Sequence, residues 1–186
     1  MDTPTHAKIG DELYKINTSY KVGLKCDEIA KDESIEDYEK MLAIIYLLFG
    51  DKGLSDKRNH DKLIELAMKY LSCGEEVDNS QREIDMDFKQ DFGMIKASFL
   101  CDYGIDISKQ DISWYDFYTY LNGLTDKCIL NRIRTLRTFD VSKIEDRKER
   151  QEIKDAQKRF SLKKDKVKLT KEQEKSMEEF NKLFGL

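Results

Sequence analysis

Apolar residues recur at helical spacing through most of the first 140 positions, and the breaks between runs carry turn and cap residues. Residues 8–16, KIGDELYKI, alternate loosely around Gly10-Asp11, which reads as a β-hairpin. Thr18 or Ser19 can cap a first helix with Val22, Cys26, Ile29 and Ala30 on one face. Ser34-Ile-Glu-Asp resembles a capping box, and Tyr38, Met41, Leu42, Ile45, Leu48 and Phe49 follow at helical spacing until Gly50 and Gly53. Ile44 and Leu47 broaden that stripe, so this helix belongs in the core. A third run, Leu63, Leu66, Ala67, Tyr70 and Leu71, closes at Gly74.

Residues 75–91 are polar and acidic and read as a loop. Phe88, Phe92, Ile95 and Phe99 resume the helical period up to Tyr103-Gly104. Ser113 is placed to cap the next helix with Asp116 three residues on, and Trp114, Phe117, Tyr118 and Leu121 share its face. Asn122-Gly123 ends it. Thr125 or Asp126 then caps a helix with Ile129, Ile133 and Leu136 turned inward. Beyond residue 140 the apolar content thins. Ile153, Ala156 and Phe160 outline one weak face, and Thr170-Lys-Glu-Gln opens a terminal helix bearing Met177, Phe180, Leu183 and Phe184. The expected fold is all-α: a multi-helix core domain over 1–140 with a small N-terminal hairpin, and a charged helical extension over 141–186.

Charge sharpens that division. Residues 1–128 hold 16 Lys and Arg against 26 Asp and Glu, whereas 129–186 hold 17 against 11, within a net charge of -4. The hydrophobic fraction is 39% and the charged fraction 38%, the polar end of globular composition. The longest apolar run, Met41 to Phe49, is too short for a membrane helix, and the first residues lack the pattern of a signal peptide. Four separated cysteines, with no Cys-x-x-Cys pair, argue against a zinc site or disulfide framework. Cys26, Cys101 and Cys128 lie in apolar runs and are expected to behave as small buried hydrophobes.

Candidate chemistry is sparse. His6 and His60 have no neighbouring nucleophile or carboxylate pattern, and His60 suits a surface or capping role. Gly50-Asp-Lys-Gly53 lacks the spacing of a phosphate loop. Asp85, Asp87, Asp91, Asp102, Asp106 and Asp111 lack the glycine and terminal glutamate of a calcium loop. No catalytic, metal or cofactor site is expected. Tyr115 lies roughly 100° around the helix from Trp114, and Tyr120 about 120° on the other side. These two flank the buried stripe and are candidate partner contacts, together with Arg132, Arg134 and Arg137 on the following helix. The three arginines could meet phosphates, but pairing with Asp102, Asp106 or Asp111 is the favoured use.

The order of these elements resembles one family. It includes Ala97-Ser-Phe99, Tyr103-Gly-Ile-Asp106, Trp114 followed by Phe117, Leu121-Asn-Gly-Leu124, and the Arg-x-x-Arg pair at 134 and 137. The N-terminal half adds the hairpin, Ile16-Asn-Thr18 and a helix ending in Leu48-Phe-Gly50. This is similar to the bacteriophage proteins named after gene product fifteen of a siphophage, over most of residues 8–160. Tyr115 stands where that family often has a second Trp. The resemblance implies a phage or prophage origin, the bacterial host cytoplasm, and a gene among the tail genes between tail tube and tape measure. That position implies a non-enzymatic tail assembly chaperone, with the tape measure protein and the tail tube protein as partners. The alternatives are a nucleic-acid-associated regulator using the basic C-terminal part, or an interaction protein acting on a host system.

Overall fold

The computed structural model describes residues 3–75 and 84–163. Two short strands, β1 (His6–Ile9) and β2 (Glu12–Lys15), form an antiparallel hairpin that pairs Ile9 with Glu12 and His6 with Lys15. Gly10 has φ 59°, the left-handed conformation this turn needs. Ala7, Ile9 and Tyr14 point inward from the ribbon. Seven helices follow: α1 (Tyr20–Lys31), α2 (Asp37–Ser55), α3 (His60–Leu71), α4 (Phe92–Tyr103), α5 (Trp114–Asn122), α6 (Ile129–Thr138) and α7 (Arg147–Phe160). The fold is mostly helical with an N-terminal hairpin, as the periodicity indicates. The proposed terminal helix after Thr170 lies outside the described residues, as do positions 76–83 of the acidic loop.

A two-stranded ribbon is marginal by itself, and here α2 supports it. The Tyr14 hydroxyl donates to Asp56 Oδ2 at 2.6 Å, and Lys52 donates to the Leu13 carbonyl while lying over the Tyr14 ring. Gly50 does not end α2. It takes φ 65° and ψ -161°, kinking a helix that continues to Ser55. A regular helix would give the Leu48 carbonyl to the amide of residue 52; the kink leaves it to accept from the Asn17 amide at 2.8 Å. The helix also starts later than its capping-box signal suggests. Its N-cap is Glu36, and Ser34 instead donates its hydroxyl to Asp32.

Helices α1 and α5 begin from a shared feature. Ser19 and Ser113 form an isolated antiparallel bridge, with Trp114 N–H donating to Thr18 O at 2.7 Å and Tyr20 N–H to Ile112 O at 3.0 Å. Each serine also caps its own helix, Ser19 at Lys21 N and Ser113 at Asp116 N. The two helices therefore leave the bridge side by side. Gly23 lets them close: a Cβ placed there would lie 2.1 Å from Trp114 Cε3. The indole N–H reaches past α1 to donate to Leu71 O at 2.9 Å, so one side chain joins α1, α3 and α5.

From this junction an aromatic series runs through the core. Trp114 stacks on Phe117 at 5.5 Å, and Phe117 stacks on both Tyr20 and Phe99 at 5.3 Å. The Tyr20 hydroxyl donates to Ile107 O, tying down the connection after α4. That helix closes at Gly104 in the left-handed conformation, with Gly104 N–H bonded to Leu100 O, the bond of the αL capping motif, and Ile105 N–H bonded to Phe99 O.

Several local expectations need correction. Helix α4 starts at Phe92, and Phe88 sits in the preceding turn. The N-cap of α6 is Cys128 rather than Thr125 or Asp126; Leu130 and Ile133 are buried, whereas Ile129 is 41% exposed. His60 is buried, with its Nε2–H donating to Leu54 O at 3.0 Å. Cys26 and Cys128 are buried free thiols, but Cys101 is exposed. Burial pushes the Cys26 thiol up to about 12, aided by neighbouring Asp27, which suppresses its thiolate.

The Gly23 contact has a measurable sign. On an exposed helix, Gly→Ala gains about 1 kcal/mol, but overpacking a core costs about 1–3 kcal/mol. A methyl 2.1 Å from a ring carbon pinned on three sides puts the balance on the destabilising side. Gly23→Ala is expected to lower Tm by roughly 3–8 °C in thermal unfolding, at about 2–4 °C per kcal/mol. A rise in Tm would contradict the close approach.

Candidate partner-docking surface

The acidic segment before α4 becomes ordered through charge. Asp91 is 1% exposed, and its carboxylate accepts two parallel bonds from Arg137 on α6, Nη1 to Oδ2 at 2.7 Å and Nη2 to Oδ1 at 2.8 Å. Asp91 Oδ2 also accepts the Asp87 amide at 3.0 Å, closing the turn. Arg137 gives its remaining bonds to carbonyls, Asp85 O at 2.8 Å and Phe160 O at 2.7 Å. A buried bidentate pair with two further donors bonded to carbonyls is a geometry in which ionic burial is tolerated. One α6 side chain thus holds residues 85–91 and the end of α7.

The candidate residues do not form one patch. Arg134 pairs with Asp85 at 3.0 Å and also donates to Asn131. The partners of Arg134 and Arg137 are therefore Asp85 and Asp91, not Asp102, Asp106 or Asp111. Those three have other duties: Asp102 accepts from Thr125, Asp106 from Ser108, and Asp111 from Ser19. Arg132 is exposed and has no ion-pair partner among the described residues. Tyr115 and Tyr120 are half-buried on different sides of α5. Tyr115 packs on Tyr70 with ring centres 5.2 Å apart, and Tyr120 packs on Tyr103 at the same distance. Both complete the rim of the core. On α2 both Tyr38 and Tyr46 are exposed, and Tyr38, which the apolar period assigned to the inner stripe, is the more so at 63%.

The order imposed on 85–91 creates concavity. Phe88 packs edge-on against Trp114 at 5.8 Å, leaving a groove of about 340 Å³ between α1 and the start of α4. Leu24, Phe88 and Phe92 form its apolar walls, and Lys21, Lys25 and Lys89 stand at its rim with Asp27 and Glu28. The opposite side of the same segment borders a wider groove of about 1140 Å³. Its lining includes Lys31, Ile84, Gln90 and the α7-side residues Gln157 and Leu162. Ile84 is 80% exposed there.

Glu28 holds the first groove together. Its carboxylate accepts from Lys25 at 2.8 Å and from Lys89 at 2.7 Å, bridging α1 to the segment before α4. Those two hydrogen bonds lower its pKa to about 2. None of these groups carries the apolar periodicity used to find helices. The signal in the sequence is only a lysine-rich face on α1 and a Lys directly after Phe88.

The family comparison covers this whole assembly. The model of the family described as Bacteriophage Gp15 protein matches residues 2–162, and the chain belongs to that bacteriophage family. No curated protein and no solved structure matches the chain. No helix among the described residues is long and apolar enough to cross a membrane.

The Glu28 bridge fixes a pH dependence. Because the folded pKa is depressed, its stabilising contribution is present above the ordinary carboxylate value of about 4.3. It is lost as pH falls through about 2. An NMR titration of the Glu28 carboxyl is expected to show a midpoint near 2, moving upward in Lys89→Ala. A wild-type midpoint at the ordinary value would show that the bridge is not formed.

Proposed function

We propose that this bacteriophage protein is a non-enzymatic tail assembly chaperone that binds the tape measure protein in the host cytoplasm, with the tail tube protein as a second client. The observation that carries the reading is the groove of Leu24, Phe88 and Phe92, apolar at its floor and rimmed by three lysines with Asp27 and Glu28 among them. An amphipathic helix docks in such a groove by inserting apolar anchors every three or four residues. Acidic residues beside those anchors would meet Lys21 and Lys25, which speeds encounter and fixes register. A long helical tape measure exposes repeated apolar stripes before the tube encloses it, so shielding them is what assembly requires. Family membership supports a phage role at a coarser level.

The nucleic-acid alternative draws less support. Of the three arginines on α6, Arg134 and Arg137 are engaged by Asp85 and Asp91. Phosphate binding would have to break a buried pair to recruit Arg137.

Co-expression with the tape measure protein of the same phage, followed by size-exclusion chromatography with light scattering, tests the proposal. The expected result is co-elution and a more soluble tape measure. The double variant Lys21→Glu/Lys25→Glu should weaken binding roughly 5–30-fold, given about 0.5–1 kcal/mol for each rim charge. Separate elution with an aggregating tape measure would overturn the reading.

A further inference from the structure

We propose that α7 is a hinged arm that swings off α6 as one unit while the rest of the molecule stays folded, and that its departure opens the wider groove. The arm is complete in itself. Asp146 caps α7 by accepting the Glu149 amide at 2.7 Å, and Gln151 donates to Asp155 at 3.0 Å. Arg150 Nε reaches back to Ile144 O at 3.0 Å, and Asp140 closes the short turn Val141–Lys143 by accepting the Ser142 amide at 3.0 Å. The connection therefore moves with the helix. α6 ends by its own means, with Phe139 N–H donating to Leu136 O. Between the two bodies stand Phe139 and Asp140, both exposed and both with extended backbone. That pair is the hinge.

The attachment across the hinge is polar and shallow. None of the α7 residues is buried, and Ile153 and Ala156, its apolar contribution to the interface, are half-buried. Gln157 Nε2 donates to Leu136 O at 2.9 Å and to Phe139 O at 2.8 Å, while Arg137 Nε donates to Phe160 O at 2.7 Å. Beyond the helix, Gln90 exchanges two bonds of 2.8 Å with the Lys163 backbone. Water replaces each of these bonds when the arm leaves, so each contributes little net. Arg137 meanwhile keeps both of its bonds to Asp91. An element held this way opens far more often than the core unfolds. Once off α6, a helix of 14 residues is marginal in water, so the open state exposes its amides. Gln157, Lys158, Leu162 and Lys163 line the wider groove, whose remaining lining includes Asp32 and Glu33 at the end of α1. Opposite charge in the two parts of the lining favours the closed position. With the arm away the groove loses one side, and a partner segment enters laterally.

Native-state hydrogen exchange of the full chain, read by NMR with no partner present, tests the arm. The amides of residues 151–160 are expected to share one protection factor within about threefold, about 100-fold or more below those of Ile95 and Phe99 on α4. Gln157→Ala should lower the whole set about fivefold or more, Gln151 included, because two bonds to α6 carbonyls are lost. The same variant should leave α4 unchanged and shift the Gln90 side-chain amide toward its solvated position. Protection equal to that of α4 would overturn the proposal, since the arm would then leave only with global unfolding. Protection that falls residue by residue toward Phe160, with Gln157→Ala felt only by its immediate neighbours, would mean a helix fraying in place and would overturn it too. So would the protection of an unfolded chain, because the arm would then never be docked.

Discussion

The ion pair between Asp91 and Arg137 is the constraint on which the far side of this molecule depends. Taking two charges out of water is costly. It is tolerated here because the guanidinium meets the carboxylate with two parallel bonds and spends its other donors on Asp85 O and Phe160 O. Arg137 is 9% exposed at its side chain and Asp91 1%. The pair is directional as well as strong. It joins a segment with no regular structure, the last turn of α6 and the end of α7.

The two grooves follow from that fixation. Phe88 sits three residues before Asp91 and packs against Trp114, which Gly23 admits to the side of α1. Gln90 faces the other way and holds Lys163. Residues 85–92 are therefore a partition between an apolar cleft along α1 and a wider, mixed groove bordered by α7. The aromatic core gives one rigid wall of the partition, and the buried pair gives the other. A docking surface needs such preorganisation, since ordering a loose segment on binding costs part of the interaction energy.

Much of this was legible from local chemistry. The Ser19 and Ser113 caps, the hairpin turn at Gly10 and the buried stripe of Trp114, Phe117 and Leu121 all rest on signals within a few residues. The errors arise where a distant partner decides. Counting only apolar residues on α6 selected Ile129, Ile133 and Leu136. The actual inner face is Leu130 and Ile133 with Arg137, whose guanidinium meets an acid 46 positions away that apolar counting does not register. Gly23 within α1 reads as a weak helical position until the Trp114 ring arrives from 91 residues later. Tyr115 and Tyr120 do flank the stripe at the expected angles, half-buried, each with its ring packed on a neighbour, Tyr70 or Tyr103, that local spacing does not reveal. Likewise nothing in the sequence shows Lys89 beside Glu28.

The most direct test is a double-mutant cycle on Asp91→Ala, Arg137→Ala and their combination, followed by urea unfolding. If the pair is the clasp, each single variant should lose about 3–5 kcal/mol, because it leaves a buried charge unmatched. The double variant should lose little more than the worse single one, so the coupling should approach the smaller single loss, about 3 kcal/mol or more. Single losses of about 1 kcal/mol or less that simply add would contradict the account, and residues 85–92 would have to be held by something else.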